Sequence, residues 1–276
     1  MTNILQSYWL FLNRPSSVLS STTGFDSLPN FLRDTAFFTA LFSSIFLLVN
    51  PLLSFFFLRK FNDFPHRKKK ELPSYVLCLV HHIVAVPFAW RNIINDLSLG
   101  DEAAAMVDYA PITAIIAPWC VAYLVADTMF FAVPEALAGK FEYIIHHFLT
   151  LFLVTSSLCA SGSILRFIPH LLISDTTNIF FNTAWLIRLF GGRRSFVLIC
   201  LEISFAISFL LIRAINMPCM FWALGSQAKG LGVARYVLVP IAFLQWYWLF
   251  KIVRTIAARF ATVASHVEPS PPKKTV

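Results

Sequence analysis

Seven stretches of this chain are dominated by apolar side chains, near residues 34–58, 73–92, 111–134, 143–160, 164–190, 196–216 and 233–256, with short polar or basic segments between them. A helix needs about 20 apolar residues to cross the hydrocarbon core of a bilayer. The pattern therefore predicts an all-α fold, a multi-span membrane helical bundle of about seven transmembrane helices. The fourth stretch is the shortest, and the sequence leaves open whether it crosses fully.

The polar residues inside these stretches are few and concentrated: His81, His82, Asp127, His146, His147, Asp175, Asn178, Asn182, Glu202 and Arg213. An ionisable group at bilayer depth costs roughly 2.5 kcal/mol or more unless it meets a partner or a wet cavity. Such groups mark a site, and their spacing says how they face it. Adjacent helical residues sit about 100° apart, so one of His81 and His82 can point into the bundle while its neighbour packs sideways, and a simple interhelical hydrogen bond would account for them equally well. Tyr123 and Asp127 are four apart and share a face. Asp127 must be protonated, paired or wetted there, whether in a structural pair with a histidine or Arg213 or in proton transfer. Asp175, Asn178 and Asn182 follow an i, i+3, i+7 pattern and form one stripe, too polar for lipid. Glu202 and Arg213 share a face three turns apart, too distant to pair with each other, so each needs a partner on another helix.

Composition narrows the class. With 58% hydrophobic and 13% charged residues among 276, the chain is not a soluble domain. Its 29 Phe and seven Trp suit lipid contact and an aromatic interior. The net charge of +8 lies mostly in short loops and the tail, where it acts as a topology signal rather than a nucleic-acid footprint. Arg59-Lys60 and the run His66 to Lys70 place the first loop in the cytosol. The next loop carries Asp96, Asp101, Glu102 and Asp108, as expected opposite. Alternation then puts Arg193, Arg194 and the tail with Lys251, Arg254 and Arg259 in the cytosol and residues 1–33 in the lumen.

That orientation gives meaning to the end of the chain. Lys273-Lys274-Thr275-Val276, closing a Pro-rich tail over 266–276, has the form of a dilysine retrieval signal read by cytosolic coat proteins of the early secretory membranes. Chance or solubility would produce the same lysines. The five cysteines make no CxxC or Cys/His ligand spacing and are expected to pack as buried thiols. No glycosylation acceptor occurs, and the first thirty residues do not read as a cleaved signal peptide.

For chemistry, the fourth stretch opens Tyr143-Ile144-Ile145-His146-His147-Phe148-Leu149-Thr150. Imidazole takes a proton from a hydroxyl or amine near neutral pH, and it can carry an acyl group; the same pair can also simply hydrogen-bond at the interface. A di-iron histidine-box enzyme needs about eight imidazoles, whereas this chain has seven His, two of them, His66 and His266, outside the spans. Zinc spacings, phosphate loops and nucleophile elbows are absent from the sequence, and no metal site is expected. No mid-span lysine stands ready for a retinal Schiff base.

In this order the polar elements resemble the TLC-domain family (TRAM, Lag and CLN proteins), multi-span endoplasmic reticulum proteins tied to lipid metabolism. The resemblance runs from about Lys69 to Ser265. It rests on the histidine region after Ser74-Tyr75, the Tyr123 to Asp127 element, and His146-His147 with Thr150. It continues in Ser174-Asp175-Thr176-Thr177-Asn178 with Phe181 and Asn182, and in Ser208-Phe209 to Arg213 with Pro218. It implies a leading span over 34–58, then a domain over 69–265 whose six spans form a barrel around a lipid cavity.

Ceramide synthases of that family carry an HHxxT element and, on the following helix, an HDxSD run. His146-His147-Phe148-Leu149-Thr150 fits the first, and Ser157 falls at a serine of the pattern. In the second, Ser174 stands where a histidine would and Asn178 where the second aspartate would. The loss of a base and a carboxylate turns the resemblance towards the non-ceramide-synthase branch, linked to membrane lipid homeostasis.

Two readings follow from the resemblance. In the first, the protein transfers an acyl group from acyl-CoA, a co-substrate rather than a resident cofactor, to a lipid acceptor. His146 and His147 are then catalytic with Asp175 orienting them, and His81, His82, Tyr123, Asp127, Asn178, Asn182 and Arg213 bind substrate. In the second, the same groups seat a lipid in a non-enzymatic sensor or cargo receptor. Expected partners are membrane lipids and, through Lys273 and Lys274, coat proteins; self-pairing as a homodimer stays open.

Overall fold

The computed structural model describes residues 28–57, 61–98, 116–159, 167–191, 195–227 and 236–265. The tail with Lys273 and Lys274, most of the N-terminal segment, and the loop positions Arg59, Lys60, Asp101, Glu102, Asp108, Arg193 and Arg194 lie outside them. Seven helical runs and no strand occur among the described residues. They are α1 (Leu28–Phe56), α2 (His66–Ser98), α3 (Ala117–Leu137), α4 (Phe141–Cys159), α5 (167–189), α6 (196–227) and α7 (Leu238–Ser265). The fold is an all-helical membrane bundle.

Four of these helices are long and apolar enough to cross a membrane: Pro29–Phe56, His66–Ile94, Ala117–Leu137 and Phe196–Trp222. The apolar part of α4 is the shorter Phe141–Thr155. The full 19 residues of α4 rise about 28 Å at 1.5 Å per residue, close to a hydrocarbon core of about 30 Å. Several helices overrun the apolar stretches that predict them. α2 begins at His66 rather than near 73, and α6 continues to Gln227 rather than stopping near 216. At the start of α2 the backbone ladder continues past the apolar stretch through the charged helix formers Arg67 to Glu71, whereas the residues added to α6 up to Trp222 are themselves apolar.

Local chemistry explains the ends. Ser195 caps α6, its hydroxyl accepting from the Leu198 amide at 3.1 Å. Gly139 and Gly191 follow α3 and α5 with φ of 88° and 101°, the left-handed conformation that closes a helix without a Cβ penalty. Pro51, Pro73 and Pro87 sit within α1 and α2, as membrane helices tolerate.

Consecutive helices run antiparallel. Tyr75 near the start of α2 stacks on Trp185 near the end of α5, with centroids 4.0 Å apart and planes within 6°. At the other end, the Trp90 indole donates to Thr176 at 3.0 Å. α1 packs on α3, where the Phe42 ring meets Trp119 edge-on at 4.6 Å. The peripheral ion pairs gather at the opposite end of the bundle from the Arg33–Asp34 pair. They are Glu71 with Arg67 and Lys68, Lys140 with Glu135, Lys251 with Glu142, and Arg188 with Glu202. Glu202 thus finds its partner on α5, as its spacing required.

The outer surface is apolar. Phe37, Leu47 and Phe55 on α1, Ile203 and Leu211 on α6, and Phe243 on α7 are all more than half exposed. Such a surface is stable against lipid and not against water. Cys200 and Cys219 lie on the exposed side of α6, whereas Cys120 is buried and Cys78 half-buried. The expectation of uniformly buried thiols therefore fails on α6, whose outer face meets lipid instead of protein. Inside, α2 to α7 surround one cavity of about 420 Å³, to which α1 contributes no lining residue. A leading helix and six helices around a cavity is the arrangement the resemblance implied.

Candidate functional site

His81, His82, Tyr123, Asp127, His146, His147, Asp175, Asn178, Asn182 and Arg213 all line this one cavity. Three helices depart from regular geometry where they present these residues. α5 tightens into a 3-10 turn over Ile173–Asp175, α3 widens into a π turn over Thr128–Ala132 directly after Asp127, and α6 is π-helical over Phe209–Asn216 around Arg213. Such local changes of pitch re-aim side chains and recur at functional positions.

One cluster centres on Asp175. Its Oδ2 lies 3.4 Å from His82 Nε2 and 3.8 Å from His81 Nε2. Its Oδ1 accepts from Asn178 Nδ2 at 3.3 Å and lies 3.5 Å from Arg213 Nη2. Arg213 is held on every side: Nε donates to Thr177 Oγ1 at 2.8 Å and to the Ser174 carbonyl at 3.1 Å, and Nη1 donates to Gln245 Oε1 at 3.3 Å. The His81 ring stacks on Tyr123 with centroids 4.2 Å apart, and Trp119 Nε1 donates to the His81 carbonyl at 3.3 Å. Behind His82, Cys78 Sγ lies 3.4 Å from Nδ1.

A second cluster joins α2, α3 and α4. Ser74 Oγ donates to Asp127 Oδ1 at 2.7 Å, and His147 Nε2 lies 3.4 Å from Asp127 Oδ2. The Thr128 hydroxyl donates to the Leu124 carbonyl at 2.5 Å, so it can only accept from His147 Nδ1 at 3.2 Å. That donor sets the tautomer. With Nδ1 protonated, Nε2 and the carboxylate would face each other as two acceptors. At 3.4 Å the two groups are in ion-pair contact rather than in a direct hydrogen bond, and the pair carries one proton, as imidazolium and carboxylate or as imidazole and carboxylic acid.

A third set of atoms has no protein partner. His81 Nδ1, His146 Nδ1 and Asn182 Nδ2 are buried and unbonded, and all three residues line the cavity. Buried polar atoms are nearly always paired, and these three are left unsatisfied by the described residues. The His146 ring is positioned by Trp248, edge-on at 5.0 Å.

One expectation needs correction. Asp175 does not orient His146 or His147; the carboxylate beside His147 is Asp127. The reason is packing: α4 lies against α3 and α7, while α5 lies along α2, which carries Asp175 to His81 and His82. Both His81 and His82 face the site, because Asp175 sits between them and both buried imidazoles turn to it. Sequence reasoning also passed over Gln245, Thr128, Cys78 and Trp248. Gln245 is a fully buried amide in an otherwise apolar run, the same signal that singled out the others.

In comparison with known proteins, the family model for the TLC domain (TRAM, LAG1, CLN8) matches residues 71–254. No curated protein and no solved structure matches the chain.

Proposed function

That the chain belongs to the TLC-domain family is the premise from which we propose that it is a multi-pass endoplasmic reticulum protein of membrane lipid metabolism, transferring an acyl group from acyl-CoA to a lipid acceptor. The observation that carries this reading is the placement of His146. His146 lines a largely apolar cavity, its buried Nδ1 has no partner among the described residues, and the proton-carrying His147–Asp127 pair lies alongside. His147 has both ring nitrogens engaged, so the free base is its neighbour.

In this mechanism the acceptor's hydroxyl or amine passes its proton to His146 as it attacks the thioester carbonyl. The new C–O or C–N bond forms, the C–S bond breaks, and the CoA thiolate leaves with the proton from His146. His147 and Asp127 keep a second proton within the cluster. Arg213 and Asn178 hold Asp175 in place on the opposite wall.

The location and orientation belong to the same proposal. The basic residues Arg67, Lys68, Lys140, Arg188 and Lys251 gather at one end of the bundle, which the positive-inside tendency assigns to the cytosol. The N-terminus is then lumenal, and Lys273-Lys274 meets coat proteins on the cytosolic side.

The test is turnover by the detergent-purified chain, given labelled long-chain acyl-CoA with sphingoid and lysophospholipid acceptors, beside His146→Ala. Product formed by the parent and lost in the variant supports acyl transfer and names the acceptor. No turnover by folded protein that still retains lipid overturns it and leaves a non-enzymatic lipid-binding role.

A further inference from the structure

We propose that His81, His82 and Asp175 form a site for one divalent transition-metal ion of the zinc type, open on one side to the lipid cavity. The inference goes beyond acyl transfer and rests on the geometry of this cluster alone.

The distances are the first argument. His82 Nε2 and His81 Nε2 stand 3.4 and 3.8 Å from Asp175 Oδ2, outside the 2.7–3.2 Å of a direct N–H···O bond. Ligands held tetrahedrally at 2.0–2.1 Å from zinc are separated from one another by about 3.3 Å. All three donor atoms lie within 4.8 Å of one another, so small side-chain rotations would close them on an ion. The second argument is the donor set. Two imidazoles and a carboxylate suit zinc, cobalt or iron(II) better than magnesium or calcium, and three protein ligands beside a cavity leave the open position a reactive ion requires.

The surroundings point the same way. A ligating carboxylate needs its second oxygen held, and Asp175 Oδ1 meets Asn178 and Arg213. A ligating imidazole needs its ring fixed. Tyr123 stacks on His81, and Cys78 contacts His82 at the nitrogen turned away from Asp175. Arg213 also limits what can bind. Its charge already balances Asp175, so a dication would leave this wall of the cavity strongly positive. The open position therefore takes an anionic oxygen, such as hydroxide or a lipid carboxylate or phosphate, and cation and anion bind together. The spacing of histidines in the sequence could not reveal the site, because the third ligand comes from α5, in a different part of the chain.

The full chain, purified in detergent and stripped with chelator, is dialysed against Zn²⁺ and its metal counted. One zinc per chain is expected, with affinity falling at least tenfold in His82→Gln and Asp175→Asn and unchanged in His147→Gln. Because the first two variants remove buried groups and can unfold, the Co²⁺ absorption spectrum of the unmodified chain decides independently. Tetrahedral d–d bands without a thiolate charge-transfer band, shifting when a fatty acid is added, support the site. A thiolate band would make Cys78 a ligand and overturn the donor set. No retained cobalt or zinc, or metal that survives in folded Asp175→Asn, would overturn the proposal. Either failure leaves the acyl-transfer assay with His146→Ala to be judged separately.

Discussion

Arg213 Nη2 lies 3.5 Å from Asp175 Oδ1, joining α6 to α5 across the interior of the bundle. The π turn around Arg213 and the 3-10 turn ending at Asp175 meet at this contact. Neither charge would be tolerable alone. A buried pair stabilises little in net terms, but removing one member leaves an uncompensated charge.

From this follows a double-mutant cycle. Arg213→Met removes the guanidinium beside Asp175, leaving the carboxylate to Asn178 and the two imidazoles, and should cost about 3–5 kcal/mol. Asp175→Asn strands the guanidinium, though Thr177, Ser174 and Gln245 still accept from it. The double variant should lose clearly less than the sum of the two. Thermal unfolding in detergent measures all four proteins; strictly additive losses would show that the pair is not coupled.

The Asp127 cluster separates hydrogen bonding from proton holding. In Asp127→Asn, the amide oxygen still accepts from Ser74, and the amide nitrogen donates to a neutral His147 whose Nδ1 proton stays on Thr128. Folding stability should therefore change by less than about 1 kcal/mol, while Asp127→Ala strands both partners and costs about 2–4 kcal/mol. Turnover should fall in both, since neither holds the shared proton. Melting temperatures of the two variants check the contrast, and equal destabilisation would contradict the proton assignment.

The helices were legible because burial in lipid demands about 20 apolar residues each time, and because every exception to that demand is a polar group with a reason. All ten predicted site residues line the cavity for this reason. What the chain did not disclose is who pairs with whom. His147 meets Asp127 rather than Asp175 because α4 packs on α3, a tertiary choice to which the i, i+3, i+4 pattern is blind. The π and 3-10 turns were equally hidden. They fall beside Asp127, Asp175 and Arg213, where side chains from different helices meet.

On the proposed orientation the tail with Lys273 and Lys274 is cytosolic, the side on which a dilysine signal is read. Replacing Lys273 and Lys274 by Ala should move the protein from the endoplasmic reticulum towards the cell surface, as followed by immunofluorescence, while a lysophospholipid-acceptor assay on membranes stays unchanged. Unaltered distribution of the double variant would remove the dilysine reading and leave orientation to be tested by protease access to the tail.

Asn182 provides a test in which stability and binding should move in opposite directions. Its side chain is 4% exposed and its Nδ2 has no partner, although the residue lines the cavity. An unsatisfied buried donor costs about 1–3 kcal/mol in the empty protein, a penalty recovered only when a ligand oxygen accepts from it. Leucine has nearly the same volume and no donor. Asn182→Leu should therefore raise the stability of delipidated protein by about 1 kcal/mol and weaken retention of its lipid by about tenfold, the equivalent of one hydrogen bond. Melting of the delipidated protein and mass spectrometry of co-purified lipid read the two effects separately. If stability and lipid retention fell together, Asn182 would be a support of the α5 wall, and its free amide would carry no information about the ligand. If they diverge as argued, the amide contacts the head group, and the polarity of the cavity at bilayer depth is explained by what it holds.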